Sequence, residues 1–136
     1  MRGALAACLM VLAASACRVA RPAPQPAAAR APAGAVRHVV VFRFKPGASP
    51  AKIRELTEAF SALQHKIPGI IAFEHGVNNS PEGLNMGFTH VYLLTFASAA
   101  ARDEYLPHPD HKAFGELLGR LGVLDGVFVV DYTPAP

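Results

Sequence analysis

The amino-acid sequence predicts an α+β fold of ferredoxin-like type, in which a four-stranded antiparallel sheet carries both helices on one face. Three observations predict it. Four runs are rich in β-branched and aromatic residues, two segments between them have apolar side chains at helical spacing, and the element order is βαββαβ. At 136 residues, the chain has the length of one domain with a leader before it.

The first strand is predicted to be apolar on both faces. The run Val36–Phe44 ends at Lys45-Pro46-Gly47, a typical turn sequence. Alternation places four side chains on one face: His38, Val40, Phe42 and Phe44. The other face carries Val39, Val41 and Arg43. Such a strand is usually covered on both sides.

The first helix is marked at its ends and along one side. Ser49-Pro50 provides an N-cap followed by a proline at the first helical position, and Pro68-Gly69 ends the helix. The apolar residues between these ends lie three or four positions apart: Ile53, Leu56, Phe60, Leu63 and Ile67. This spacing predicts an amphipathic helix packed on the sheet.

The second half of the domain follows the same pattern with a broken helix. Its predicted strands are residues 70–77, 87–96 and 123–132. One face of the middle strand carries His90, Tyr92, Leu94 and Phe96. A helix begins at Ser98 and ends near Leu106, where Pro107 and Pro109 interrupt it, and further helical turns cover residues 110–121.

The predicted layering leaves one sheet face, which includes Val39 and Val41, without a cover. An apolar sheet face of this size marks an interface. A second copy of the chain, related by two-fold symmetry, would bury it. The sequence therefore predicts a homodimer.

The first 35 residues have the composition of an export leader and a tether. Arg2 precedes an uncharged, mostly apolar run, and Ala14-Ser15-Ala16 then forms a small-residue cleavage site before Cys17. This arrangement resembles a bacterial lipobox, so residues 1–17 are predicted to be a signal peptide of lipoprotein type. Residues 18–35, rich in proline and alanine, are a predicted linker.

Two localisations follow from this leader. A lipidated Cys17 would anchor the exported protein to a membrane, on the outer one if the cell has two. An ordinary signal peptidase would instead release a soluble periplasmic or secreted protein. A misassigned start codon is a third reading of the same residues.

The charge distribution excludes nucleic-acid binding as an expected function. The leader holds four basic and no acidic residues, whereas residues 36–136 hold nine basic and ten acidic ones, a net charge of −1. The basic pI thus belongs to the leader, and the domain has no positive excess for a phosphate backbone. Both cysteines, Cys8 and Cys17, precede the domain, so no disulfide framework is expected.

Four short segments stand out in the domain. They are Arg37-His38-Val39-Val40-Val41-Phe42-Arg43-Phe44-Lys45, Phe88-Thr89-His90, Tyr105-Leu106-Pro107-His108-Pro109-Asp110-His111 and Val130-Asp131-Tyr132. Together they resemble the stress-responsive dimeric α/β-barrel (Dabb) family over residues 36–133. That family includes plant stress-induced proteins, bacterial proteins of unknown role, and a plant polyketide cyclase that performs an intramolecular aldol condensation without metal or cofactor.

The resemblance implies candidate site residues. The cyclase's catalytic tyrosine and histidine match Tyr105 and His111, and two histidines that line its pocket match His38 and His90. A histidine can remove a proton next to a carbonyl near neutral pH. A tyrosine hydroxyl can stabilise the enolate oxygen that forms. No cofactor is expected.

Structural roles explain the same residues equally well. His111 can simply line a pocket, His38 and His90 can be satisfied core histidines, and His108 or Asp110 can cap a helix. A metal site is not expected, because His108 and His111 have no cysteine ligand in the domain to join them.

Three functions remain open from the sequence. The first is a homodimer that binds a small apolar or carbonyl-containing ligand in a pocket between sheet and helices. The second is a cofactor-free enzyme with His111 as base and Tyr105 as electrophilic partner. The third is a purely structural dimer, which a core closed by Phe42, Phe60 and Phe114 would favour.

Overall fold

The computed structural model describes residues 32–135. The predicted signal peptide with Cys17, and most of the predicted linker, lie outside the described residues. The elements are β1 (Val36–Phe44), α1 (Pro50–Ala62), a 3₁₀ turn (Leu63–His65), β2 (Ile70–Val77), β3 (His90–Phe96), α2 (Ala99–Tyr105), α3 (Pro109–Leu121) and β4 (Leu124–Tyr132). None of the helices in this part of the chain has the length and apolar character needed to cross a membrane.

The four strands form one antiparallel sheet in the order β2-β3-β1-β4. Strand β1 is therefore central, and its His38 lies opposite Leu94 of β3 on one side and Asp131 of β4 on the other. Helices α1 and α3 pack on the face that carries Val40 and Phe42, where the core gathers. The predicted α+β, ferredoxin-like fold class is confirmed.

Some element boundaries differ from the predictions by a few residues. Strand β3 begins at His90 rather than at residue 87, because the Phe88 N–H donates to the Asn85 carbonyl at 2.8 Å in a turn. Gly87 adopts a positive φ of 81° in that turn, a conformation that favours glycine. The predicted interruption of the second helical segment is confirmed, because the segment forms two helices, α2 and α3, and Pro109 is the first residue of the second.

The sheet's helix side holds a closed aromatic core near β3. The ring of Tyr92 lies 5.1 Å from both Phe42 and Phe60, measured between centroids. Its hydroxyl is 2.7 Å from the hydroxyl of Thr57 in α1, which is also 2.9 Å from the Ile53 carbonyl. Tyr92 is thus closely packed and its hydroxyl has a hydrogen-bond partner.

The opposite sheet face is apolar and accessible, as the alternation of β1 predicts. Val39 and Val41 lie there beside residues of β4, and Phe128 and Val130 of that strand are 52% and 40% exposed. Accessible aliphatic and aromatic side chains in one contiguous layer are characteristic of protein interfaces.

Candidate functional site

A cleft of about 290 Å³ lies between the helix side of β1 and β4 and the facing sides of α2 and α3. It exists because β4 is the edge strand and the helices do not fully cover it. Val127 and Val129 of β4 face the helix side yet remain 53% and 46% exposed. Phe42, Phe114 and Leu118 form the rest of the apolar walls. The cleft is therefore a mainly hydrophobic cavity of a size that suits a small organic molecule.

His38 projects from the middle of β1 into one end of the cleft. Strand alternation buries it on the helix side with only 6% of its surface exposed. Its Nδ1 lies 2.5 Å from Oδ1 of Asp131, the residue directly opposite on β4. The other Asp131 oxygen accepts a hydrogen bond from Arg102 of α2. This buried imidazole is therefore held by a carboxylate that is itself held by a guanidinium.

Tyr105, the last residue of α2, stands between the two cleft histidines. Its ring centroid lies 5.8 Å from that of His38 and 4.1 Å from that of His111. Burial raises the pKa of the Tyr105 hydroxyl, and the nearby negative charge of Asp131 raises it further. The phenol thus stays protonated and serves as a hydrogen-bond donor.

His111 lies in the first turn of α3, on the other side of Tyr105. The Pro107-His108-Pro109 break places it there, with the His108 side chain accepting from the Asp110 N–H at the helix start. The predicted capping role of His108 is confirmed. Nδ1 of His111 is 3.0 Å from the Leu106 carbonyl oxygen, which can only accept a hydrogen bond. Nδ1 therefore carries the proton in the neutral imidazole, and Nε2 has a free lone pair.

Three polar atoms at this end of the cleft are open to ligands. Among residues 32–135, no hydrogen-bond partner is found for the Tyr105 hydroxyl or for Nε2 of His38 and His111. In the same part of the chain, no fully buried side-chain nitrogen or oxygen lacks a partner. These three atoms therefore reach accessible space, and for Tyr105 and His38 that space is the cleft they line.

The structure brings together three of the four histidine and tyrosine candidates, but not His90. His90 shares the sheet face of His38, but it pairs with Phe42, four residues farther along β1. At about 3.3 Å per residue, that separates the two histidines by about 13 Å along the sheet. The ring of His90 packs on Phe44, at 4.8 Å between centroids, instead of lining the cleft. Cys17 lies outside the described residues.

Two residues of the site, Asp131 and Arg102, were not singled out as functional from the sequence. Asp131 is the one acidic residue within an otherwise apolar run at the end of β4. That isolation was the available signal, because a lone carboxylate between Val130 and Tyr132 needs a partner. The identity of the partner depends on the β1–β4 register, which pairs residues 93 positions apart.

The arrangement suits recognition of a polar group on an otherwise apolar molecule. Apolar walls remove the body of a ligand from water, while the hydroxyl of Tyr105 donates and the two imidazoles accept hydrogen bonds at one end. The same groups can move a proton, because a neutral imidazole is a base near neutral pH and a phenol can stabilise the oxyanion that results.

Comparisons with known proteins agree with this architecture. The family model of the Stress Responsive A/B Barrel Domain matches residues 36–134. A stress-response A/B barrel domain-containing protein of Arabidopsis thaliana is 43% identical over 101 residues, covering 74% of this chain and 91% of that protein. Olivetolic acid cyclase of Cannabis sativa is 28% identical over 100 residues, covering 74% of this chain and 97% of the cyclase.

Two solved structures are similar over nearly the same segment. A dimeric ferredoxin-like protein of unknown function from Jannaschia sp. CCS1 has a TM-score of 0.63 and 29% identity, covering 74% of this chain and 100% of that one. The hydroxynitrile lyase of Passiflora edulis has a TM-score of 0.69 and 26% identity, covering 76% of this chain and 96% of the lyase.

Proposed function

The chain belongs to the stress-responsive A/B barrel (Dabb) family, and from this premise we propose that it is a homodimer whose subunits each bind a small, mainly apolar carbonyl compound in the cleft. The observation that carries the proposal is the hydroxyl of the buried residue Tyr105, which has no hydrogen-bond partner among the described residues and reaches the accessible space of the apolar cleft. A protonated phenol in that position is a ready donor to a carbonyl oxygen.

Acetophenone and ethylbenzene test the binding proposal, because both have a phenyl ring with a two-carbon side chain and only acetophenone has a carbonyl oxygen. We expect acetophenone to bind about two- to tenfold more tightly, in line with one net hydrogen bond of about 0.5–1.5 kcal/mol. Tyr105→Phe should remove this preference, whereas Tyr92→Phe, in the closed core, should keep it. Calorimetry or ligand-detected NMR measures the affinities, and equal affinities in the parent protein would contradict the proposal.

The dimer is supported by the apolar outer face and by the dimeric Jannaschia relative. Val130→Glu places a charge in the middle of that face, and we expect it to yield monomers at micromolar concentration. Ala51→Glu, on the exposed surface of α1, is the matched control and should leave the dimer intact. Light scattering after gel filtration reads the mass. A parent protein that is monomeric would refute this part of the proposal.

A second candidate function is cofactor-free proton transfer in the same cleft. It is favoured by the short distance between His111 and Tyr105 and by the free Nε2 of His111, which suits the base role. Two relatives carry the names of enzymes, a cyclase and a hydroxynitrile lyase. In this reaction the base takes a proton from the carbon next to a carbonyl, and the electron pair moves to the oxygen that Tyr105 holds.

Exchange of the methyl protons of acetophenone for deuterium, followed by NMR in D₂O, tests the enzyme reading. We expect His111→Gln to slow exchange about a hundredfold or more. Exchange in the parent protein no faster than in buffer leaves ligand binding as the function. Failure of every ligand to bind would leave the purely structural dimer as the remaining reading.

Export and anchoring are a separate part of the proposal. They are supported by the leader, in which a charged start, an apolar run and a small-residue site precede Cys17. Intact mass spectrometry of the mature N-terminus tests it. A diacylglyceryl mass on Cys17 indicates a lipoprotein, cleavage without lipid indicates a soluble exported protein, and an uncleaved N-terminus contradicts export.

A further inference from the structure

Three side chains from three different elements form a connected series of polar contacts at the polar end of the cleft. Arg102 of α2 bonds one oxygen of Asp131 on β4, and the other oxygen lies 2.5 Å from Nδ1 of His38 on β1. Asp131 and Arg102 are each only 25% exposed, and His38 is 8% exposed at its side chain. The contact between His38 and Asp131 is thus partly shielded from bulk solvent, which strengthens it, whereas the contact between Arg102 and Asp131 lies at the surface.

The charges of these three side chains determine which of their atoms carry the hydrogen-bonding protons. Arg102 has only donors, so it keeps Asp131 as an acceptor on both oxygens. A carboxylate that only accepts requires a proton on Nδ1 of His38, and a neutral imidazole then has its lone pair on Nε2. The other titratable group packed against His38 is Tyr105 of α2, and His111 of α3 lies beyond that tyrosine.

We propose that Asp131 is a positioning residue that fixes His38 with Nε2 as a hydrogen-bond acceptor in the cleft, so that the site selects ligands carrying a hydroxyl donor. This inference rests on the proposed ligand-binding function. With Tyr105 as donor and His38 as acceptor, the polar end offers a complementary pair of hydrogen-bonding atoms. A phenol or enol satisfies His38, whereas its methyl ether leaves that nitrogen desolvated and unpaired.

Asp131→Asn is predicted to switch the His38 imidazole to the other tautomer, because Arg102 fixes the orientation of the new amide. The guanidinium can face only the amide oxygen of the new side chain, which turns the amide NH₂ group toward Nδ1 of His38. Nδ1 must then accept, and the proton moves to Nε2. The double variant Asp131→Asn with Arg102→Leu frees the amide to rotate, so its oxygen can again face Nδ1.

Long-range ¹⁵N–¹H correlation spectra of the labelled protein at about pH 8, where an ordinary histidine is neutral, read the tautomer directly. We expect Nδ1–H for His38 in the parent protein, Nε2–H in Asp131→Asn, and a return toward Nδ1–H in the double variant. An Nε2–H tautomer in the parent protein would overturn the proposal, even if a variant failed to fold. So would an unchanged tautomer in a folded Asp131→Asn.

The affinities of 4-ethylphenol and 4-ethylanisole give the functional readout. We expect the parent protein to prefer the phenol at least about tenfold, Asp131→Asn to bring the ratio close to one, and the double variant to restore part of it. A purely structural role would lower both affinities together and leave the ratio unchanged, which counts against the proposal. If neither compound binds, the proposed ligand class is wrong, while the tautomer spectra still decide the role of Asp131.

Discussion

Two buried tyrosines mark two different halves of the interior. Tyr92 and Tyr105 are each 1% exposed, and burial raises the pKa of both phenols. The Tyr92 hydroxyl pairs with Thr57, which offsets part of that rise. The Tyr105 hydroxyl has no partner within residues 32–135, and Asp131 raises its pKa further. The hydroxyl of Tyr92 is thus satisfied within the core, whereas the hydroxyl of Tyr105 is available to the proposed ligand.

Filling the cleft beside Tyr105 with a larger side chain should have the largest effect on ligand affinity. Gly115 lies on α3 at the cleft wall, and a Cβ there would meet nothing within 4 Å. Gly115→Leu fills the slot, so we expect acetophenone affinity to fall at least about tenfold, or 1.4 kcal/mol. Thermal stability should rise, since leucine favours a helix over glycine by about 1 kcal/mol.

Gly119→Leu is the matched control for this change, because Gly119 lies one turn farther along α3 with the same free space. It should gain stability and keep binding. Full affinity in Gly115→Leu would show that ligands do not use the cleft.

Removing one hydroxyl at a time tests the comparison itself. Tyr92→Phe takes the partner from the Thr57 hydroxyl, and we expect it to lower the free energy of unfolding by about 1 kcal/mol. Tyr105→Phe removes a hydroxyl that bonds nothing in the described chain, so its cost should stay within about 0.5 kcal/mol. Urea denaturation measures both, and equal costs would mean that the two halves do not differ in this way.

The dependence of stability on high pH provides a further test of the Tyr105 environment. A phenol whose folded pKa lies above the unfolded value of about 10 contributes stability that is fully present below pH 10 and is lost as pH rises above it. We therefore expect the parent protein to lose more stability between about pH 9 and 11 than Tyr105→Phe loses. Urea denaturation at the two pH values provides the measurement, and parallel losses would contradict the raised pKa of Tyr105.

The smallest effect concerns His90, at the far end of the sheet from His38. Burial, and then the nearby His75, lower the pKa of His90. A lowered histidine pKa gives stability that is present above about pH 6.5 and is lost as the pH falls. His90→Gln should therefore soften the loss of stability between about pH 7 and 5 while leaving ligand affinity unchanged. A change in affinity would place His90 in the site after all.

The fold could be predicted from local patterns because each element carries its own signal. Alternation in β1 assigned His38 to the helix side, and the stripe from Ile53 to Ile67 marked the first helix. The Pro107-His108-Pro109 break predicted both the interruption of the second helical segment and the place of His111 in the helical turns that follow. These features depend on neighbouring residues, whose geometry the chain fixes by itself.

The site was only partly predictable because it depends on strand register. Alternation predicts that His38 and His90 lie on the same sheet face, but it does not predict how far apart they lie along the sheet. In the same way, the contact between His38 and Asp131 arises from pairing between the first and last strands. Register of this kind is set by the whole packed domain rather than by either strand.

Strand β4 has a further consequence, because its successive side chains belong to different surfaces. Val127 and Val129 line the cleft and Asp131 contacts His38 on the same side, while Phe128 and Val130 lie on the outer face. A molecule that shifts this strand on entering one surface must alter the other, and the energetic coupling is mutual. Under the proposed function, ligand binding in the cleft and dimer formation on the outer face would therefore both act on strand β4.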